Sequence, residues 1–599
     1  MNYFSKLAFG VAALALAASC SNDEPAVNGG TQIPEGQQAF LRVNVQSAGE
    51  FSRSTVIGGY EYGDAQEHKV NNAHFFFFDA NGIYVGTANI WKDGGPGNTP
   101  NIEYMGGNVI VLDNLTSNEY PNYVLTVLNK PTSFTPRAGQ SAAEVTRELA
   151  EFGSLGAFVM STSSYYTPAA NVTADSHHNN AFPYLTKLNT TDFISKAVGT
   201  TPTDAEIAGA TPVEIYVERL AAKVQLNVIA DATITVDGNK LFKLDATIAG
   251  ENNPELGNDP LAGQNIYVRI DGWDLNNTVN KSYIAKQLLP GWETTAPFDD
   301  WQPAYTDHRS FWAESYVYDA NGAAPAASKF NARVSGNKLT VKVGDVAYCN
   351  ENTNVPEAIG TGSGDAYTIN PSLVTSVYVK ATVTDKDNNP LDLIRHNGLL
   401  YTSKQFKLYL MGAMSANDDM KFYIQSVDAE GKTVYTQLGS TEAELSDFKL
   451  VSDGTVGGVK LDYAPAAEPE GLVKRTGGNA TDGYTYAPAH VADVKSALVT
   501  FQANIKIESF ENGMYYRIPV EHFANNGTDQ MARDHEGYFG VVRNHWYKVN
   551  ISNVLQLGHG IFDPDKEIVD TKEDPKENYF LVTRINILSW KVITQDVEI

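Results

Sequence analysis

Cysteine is scarce in this 599-residue chain: there are two, Cys20 and Cys349. That excludes a disulfide framework and a zinc site built on several thiolates. Positive charge is also short, with 44 Lys plus Arg against 70 Asp plus Glu, so the net charge is 44 − 70 = −26. Phosphate backbones and anionic lipid surfaces are held through Lys and Arg. Neither nucleic acid nor electrostatic membrane docking is expected, and the acidity reads as a solvated, aggregation-resistant surface. Catalytic signatures are missing too: there is no GxSxG, HExxH or phosphate loop. Gly360, Gly362 and Gly364 lack a strand-to-helix context and read as a loop. Asp385, Asp387 and Asn388 resemble the start of a calcium loop but lack its Gly and distal Glu, so a β-turn is expected. His308 and His545 stand beside aromatics and read as structural. No enzyme, metal site or cofactor is expected.

Long apolar runs are absent as well. The run at residues 7–18 is too short to span a bilayer. It follows Lys6 and ends in LALAASC at Cys20, before the polar SNDEPAVNGG. This is a targeting segment, excluded from the fold. Small residues directly before a cysteine resemble the bacterial lipobox, in which the signal peptide (1–19) is removed and Cys20 becomes the lipidated N-terminus. Cys349 is then the only thiol left, and the residues after Cys20 are a tether.

Residues 21–37 read as a flexible linker. The strand AFLRVNVQ (39–46) follows, with Ala39, Leu41, Val43 and Val45 on one face and Phe40, Arg42, Asn44 and Gln46 on the other. Behind it lies the loop SAGEFSRSTVIGGYEYGD, with Arg53 near its centre; such loops are where proteases nick. Residues 68–130 are strand-rich. HFFFF and IYVG flank the turn Asp79-Ala80-Asn81-Gly82, a hairpin signal, and residues 75–78 read as strand buried on both faces. SAAEVTRELAEF (141–152) predicts a helix with a Ser141/Glu144 capping box and Val145, Leu149 and Phe152 along one face. VEIYVERLAAKVQLNV (213–228) changes phase near Glu218 and Arg219, which predicts a long bulged strand handing the chain from a first domain to a second. A chain of this length exceeds one core. Short strands with turn signals continue beyond it, suggesting sandwich-type layers. The stretches near 250–263, 350–366 and 453–490 read as long glycine-rich loops.

The tail LVTRINILSWKVITQDVEI (581–599) stays apolar to its final residue. Ile585 and Ile587 share one face, Leu588, Trp590 and Val592 the next, and Ile593, Val597 and Ile599 return to the first. A period of two that slips by one residue predicts a bent strand or two strands in tandem. Such a strand either closes its own sheet or adds to another chain.

Together, several segments resemble a known family, the lipoprotein fimbrillins of type V pili, and in particular the shaft (major structural) subunit of the minor fimbrium. They are FVMSTSSYY (158–166), IYVERLAAKV (215–224), WDLNNTVNKSYI (273–284), DHRSFWAES (307–315), YCNENT (348–353), ENGMYYRIPVEHF (511–523), GVVRNHWYKVNISNVLQLG (540–558) and ILSWKVITQDVEI (587–599). The resemblance implies a mainly β fold of two β-sandwich-like (transthyretin-like) domains with a few short helices. It divides the chain into a lipidated propeptide with the first strand (20–53), an N-terminal domain (54–215), a C-terminal domain (216–580) and a donor strand (581–599). It implies a precursor held on the outer membrane by its lipid and cut by an Arg-specific protease after Arg53, with Arg42 as the alternative. The strand carrying Leu41, Val43 and Val45 would be displaced, and another copy's tail, through Ile593, Val597 and Ile599, would fill the slot. The implied partners are further copies in a head-to-tail filament at the cell surface, anchor and tip subunits, and the protease. The rival reading is a tip or accessory adhesin that recognises a host protein or glycan. It is disfavoured by the apolar tail, which a filament cap does not need.

Overall fold

The computed structural model describes residues 31–47, 60–61, 63–92, 108–116, 118–154, 156–166, 177, 181–229, 233–249, 261–288, 308–310, 312–318, 325–353, 373–522, 539–568 and 590–598. The alternation in AFLRVNVQ becomes the first strand, Gln37–Ser47. It is an interior member of a nine-stranded sheet that also contains Ala73–Phe78, Tyr84–Lys92, Asn108–Leu115, Tyr123–Leu128 and Val213–Arg219. Met160–Thr162 pairs with both Val213–Arg219 and Tyr123–Leu128, which closes the sheet on itself. Because side chains alternate along each strand, closure sorts them into two sets. Ala39, Leu41, Val43, Val45, Phe75, Phe77, Ile110, Val213, Ile215 and Val217 fill the interior. Phe76 and Phe78 face the other way, into a second core with Phe134, Val145 and Leu185. The four consecutive phenylalanines are thus buried on both faces. Their hairpin turn is closed by Gly82, at φ +73°, whose N–H donates to the Asp79 carbonyl.

The capping box at Ser141 and Glu144 forms, but its helix is only Ala142–Thr146. Leu149 and Ala150 leave it to pair with Tyr283 and Ser282, and Leu149 is exposed. Tertiary pairing overrides the helical pattern at that end.

The phase change in 213–228 is a break at Leu220. Val213–Arg219 runs parallel to the first strand in the N-terminal sheet, while Ala221–Val228 runs parallel to His545–Asn553 in a second sheet. That second sheet, of five strands, faces a six-stranded one that includes Asn265–Asn276, Ser376–Thr384 and Met514–Pro519. Ala222, Val224, Leu226, Tyr547, Val549 and Ile551 from one sheet meet Val268, Trp273, Val379, Ala381, Met514 and Ile518 from the other, so this half is a sandwich. Cys349 is buried in the same core, where burial pushes its thiol up to about 12, so the sulfur is a packing group and not a nucleophile.

Residues 385–513 leave the sandwich between two strands that pair directly, Ala381 opposite Met514. They build a core of their own around Phe406, Leu410, Met414, Phe422, Tyr463 and Leu498, on helices Ser403–Ala416 and Val491–Phe501. The stretch 453–490, expected to be a loop, contains the strands Val459–Tyr463, Leu472–Asn479 and Gly483–Pro488. Its glycines shape turns: Gly478 and Gly483, at φ +83° and +86°, close one hairpin. The Asp385 loop is a turn, as expected, with its carboxylate accepting from the N–H groups of Asp387 and Asn389 and with Asn388 at positive φ.

Candidate functional site

The first strand is held from both sides. Ala39–Val43 pair antiparallel with Leu112–Asn108 across one edge. On the other edge, Phe193–Ala197 pairs with the strand's first half and the Val213–Arg219 strand with its second. Ala39, Leu41, Val43 and Val45 point inward and none is more than 1% exposed. Phe40 points outward yet is equally buried, beneath Ile207 of the short helix Asp204–Gly209 and beside Val109 and Val111. Thr203 and Glu206 cap the start of that helix, and Lys196, in the neighbouring strand, bonds Glu206; these contacts hold the carboxyl at about 2.

Arg42 serves the other end of the helix. One guanidinium nitrogen, Nη1, donates to the carbonyls of Ile207 at 3.2 Å, Ala208 at 3.4 Å and Ala210 at 2.8 Å, at the helix C-terminus where carbonyls outnumber backbone donors. Asn44 donates to Glu214 Oε1 at 2.6 Å. Arg42 was the alternative cleavage position. In the folded chain it is anchored at the centre of a doubly paired strand, and a protease needs its target extended and exposed. Sequence reasoning missed the structural role of Arg42; an Arg opposite a buried Leu/Val face was the available signal. Cys20 and Arg53 lie outside the described residues.

The tail lies in the second sheet. Trp590–Glu598 runs parallel to His545–Asn553, with Lys591 opposite His545, Ile593 opposite Tyr547 and Val597 opposite Ile551. This differs from the expectation that Ile593 and Val597 stand free for a neighbour: their backbone is in register with the chain's own sheet. Ile599 and residues 585–588, where the pattern slips, lie outside the described residues. On the outer edge, Tyr60–Glu61 covers only Lys591 and Trp590, and no other described strand lines that edge.

Between slot and tail sits a junction of buried charge. Glu67 pairs with Lys223 at 2.7 Å and accepts from the Tyr348 hydroxyl, and its backbone carbonyl accepts from Arg219 Nε at 2.8 Å. Arg219 also donates to Asn544 Oδ1 at 3.1 Å. Lys286 with Glu218 at 2.9 Å, and Arg543 with Glu351 at 3.2 Å, are fully buried pairs. Burial pushes the Glu67 carboxyl up, but Lys223, Tyr348 and Arg219 outweigh it and hold the group below its ordinary 4.5. A depressed carboxyl stabilises the fold above its ordinary range, and that contribution is lost as pH falls through the folded value. The junction is therefore expected to weaken below about pH 4.5, the ordinary value for this group. Glu67→Gln is expected to lower stability at neutral pH, because it strands Lys223, and to flatten the acid limb. Denaturant midpoints measured against pH check both.

Among the described residues, no group of three His, Cys, Asp or Glu side chains is placed to hold a metal ion. The described elements include a deep interior strand in one sheet and a C-terminal strand near the edge of another.

Comparison with known proteins gives a match at one end of the chain. Residues 508–596 match the family model "Major fimbrial subunit protein type IV, Fimbrillin, C-terminal". No curated protein matches the chain. Among solved structures, a fimbrilin from Porphyromonas gingivalis W83 is 12% identical, over 94% of this chain and 96% of that one, with a TM-score of 0.27. A fimbrial assembly protein from Parabacteroides distasonis is 10% identical, over 71% and 96%, with a TM-score of 0.24. The tip fimbrial protein Mfa3 from Porphyromonas gingivalis is 12% identical, over 60% and 83%, with a TM-score of 0.20. These superpositions are too loose to establish a shared arrangement. What the comparisons establish is a likeness of residues 508–596 to the C-terminal region of the fimbrillins.

Proposed function

We propose that the chain is a structural shaft subunit of a surface fimbrium, made as a lipoprotein precursor and polymerised by exchange of a C-terminal strand. The observation that carries this reading is the first strand: an interior strand, paired on both edges and fully buried along its inner face, which comes just before the loop that contains Arg53. Lipid on Cys20 holds the precursor to the outer membrane. An Arg-specific protease cuts after Arg53 and separates residues 20–53 from the body. The slot left behind has unpaired backbone on two edges and an apolar floor, a surface that accepts a strand. Another copy's tail fills it. A strand with three or four buried aliphatic side chains contributes roughly 5–10 kcal/mol at about 25 cal/mol per Å², before ordering costs. The contact is head-to-tail, so it propagates into a filament. Anchor and tip subunits occupy the ends, and the filament supports adhesion and biofilm formation.

In this reading the described part of the tail, Trp590–Glu598, which carries Ile593 and Val597, is paired in its own sheet before assembly. Among the described residues, its outer edge is covered there only by Tyr60 and Glu61, which follow Arg53 in the same loop. Purified precursor treated with an Arg-specific protease is expected to form detergent-resistant ladders. Arg53→Ala, or removal of the chain from residue 585 onward, is expected to abolish them. Ladders from the tail-less chain, or a wild type that stays monomeric after cleavage, contradict the proposal.

A further inference from the structure

We infer that residues 581–589 are the part of the tail that enters the slot of a neighbouring copy, and that they run in the first strand's direction with Arg584 on Arg42 and Asn586 on Asn44. The inference rests on the strand-exchange reading above and assigns its register.

The first strand reads AFLRVNVQS over 39–47, and the tail reads LVTRINILS over 581–589. The structure states what the slot requires at each of the central positions. At 42 it needs a cation that can donate to the carbonyls of Ile207, Ala208 and Ala210, and the tail offers Arg584. At 44 it needs an amide for Glu214, and the tail offers Asn586. At 43 and 45 it buries β-branched aliphatics completely, and the tail offers Ile585 and Ile587. Ser589 falls on Ser47. At 39 and 41 the bulk changes places, with Leu581 on Ala39 and Thr583 on Leu41. The poorest match is Val582 on Phe40, which leaves space beneath Ile207.

The later half of the tail fits worse. If Ile593, Val597 and Ile599 face inward, Gln595 lies on the same face, among positions the slot keeps 0–1% exposed. An amide buried there without a partner is costly. No Arg occurs after residue 584 to serve the helix end. Trp590–Glu598 also has a place at home, beside His545–Asn553. The tail therefore divides just after the slip: residues 581–589 are built for the neighbour's slot, and Trp590–Glu598 for the chain's own sheet.

Register can be read by disulfide trapping. Val43 pairs with Asn108, and antiparallel partners lie about 4.5–5.5 Å apart, within disulfide reach. Full-length precursor carrying Ile585→Cys with Asn108→Cys is cleaved after Arg53, oxidised, and run under denaturing, non-reducing conditions. Precursor with Ile593→Cys and Asn108→Cys runs alongside. The native Cys349 is buried and does not compete. Reductant-sensitive covalent ladders from the 585/108 pair alone are expected. Covalent ladders from 593/108 instead, or from neither pair while wild type still forms detergent-resistant ladders, overturn the register and leave strand exchange standing. Absence of ladders in wild type overturns strand exchange itself. Arg584→Glu, which leaves the wall of the slot untouched, sets a carboxylate against the three helix carbonyls and is expected to abolish ladder formation; unchanged ladders overturn the assignment.

Discussion

Leu41→Ala is expected to destabilise the precursor by about 2–5 kcal/mol, the usual cost of emptying a Leu-sized space in a core, yet to leave the filament built from it unchanged. Leu41 is fully buried, opposite Ile110 on one edge and Phe193 on the other. In an ordinary protein such a defect persists for the life of the fold. In the proposed assembly the strand carrying it is discarded on cleavage, and the replacement strand comes from another copy's tail, which the Leu41 substitution does not touch. The variant is also expected to polymerise faster after cleavage, because a weaker occupant is easier to displace. Denaturant midpoints of precursor and of assembled ladders measure the contrast. Ile110→Ala, in the wall of the slot, is the control and is expected to weaken both forms. Equal losses in precursor and filament for Leu41→Ala contradict the claim that the strand is exchanged.

Lys286→Met has the second large expected effect, and it is inherited by the filament. Lys286 Nζ lies 2.9 Å from Glu218 and donates to the Ser310 carbonyl at 3.0 Å, and both side chains of the pair are fully buried. Removing the cation leaves a carboxylate buried beside Arg219, at the point where the chain passes from the closed sheet to the sandwich. Breaking a buried pair from one side costs about 3–5 kcal/mol, whereas replacing both members with apolar groups costs far less. Lys286→Met is therefore expected to destabilise precursor and filament alike by about that amount. Lys286→Met with Glu218→Leu is expected to regain most of the loss. The double-mutant cycle by urea unfolding gives the coupling directly.

Much of the slot was legible because its code is local. A period of two over 39–46 specified the strand that the structure extends to Gln37–Ser47, and the run at 75–78 announced burial on both faces. The change of phase in 213–228 located the handover, at Leu220, because a strand that serves two sheets must reverse its faces there. What was not legible depends on partners distant in sequence. Glu67 finds Lys223, Lys286 finds Glu218, and Arg543 finds Glu351 only after folding. The helix begun at Ser141 stops at Thr146 because Leu149 and Ala150 pair with residues 282–283, which no local pattern reveals. The insertion of residues 385–513 was obscured by glycine: Gly478 and Gly483 suggested a loop and instead turn a hairpin. Arg42 carried its role in plain view, but that role needs the helix carbonyls at 207–210 before it has meaning.

The central claim is that the slot emptied by cleavage is refilled by another copy. The most direct measurement is made on purified ladders after Arg-specific cleavage, combining subunit mass with amide hydrogen exchange at 108–112 and 193–197, the two edges that flank the first strand. Refilling by another copy predicts subunits that begin at Ser54 and lack residues 20–53, with those amides as protected as in the intact precursor. Retention of residues 20–53 in equal amount with the subunit, or loss of protection along both edges, contradicts it.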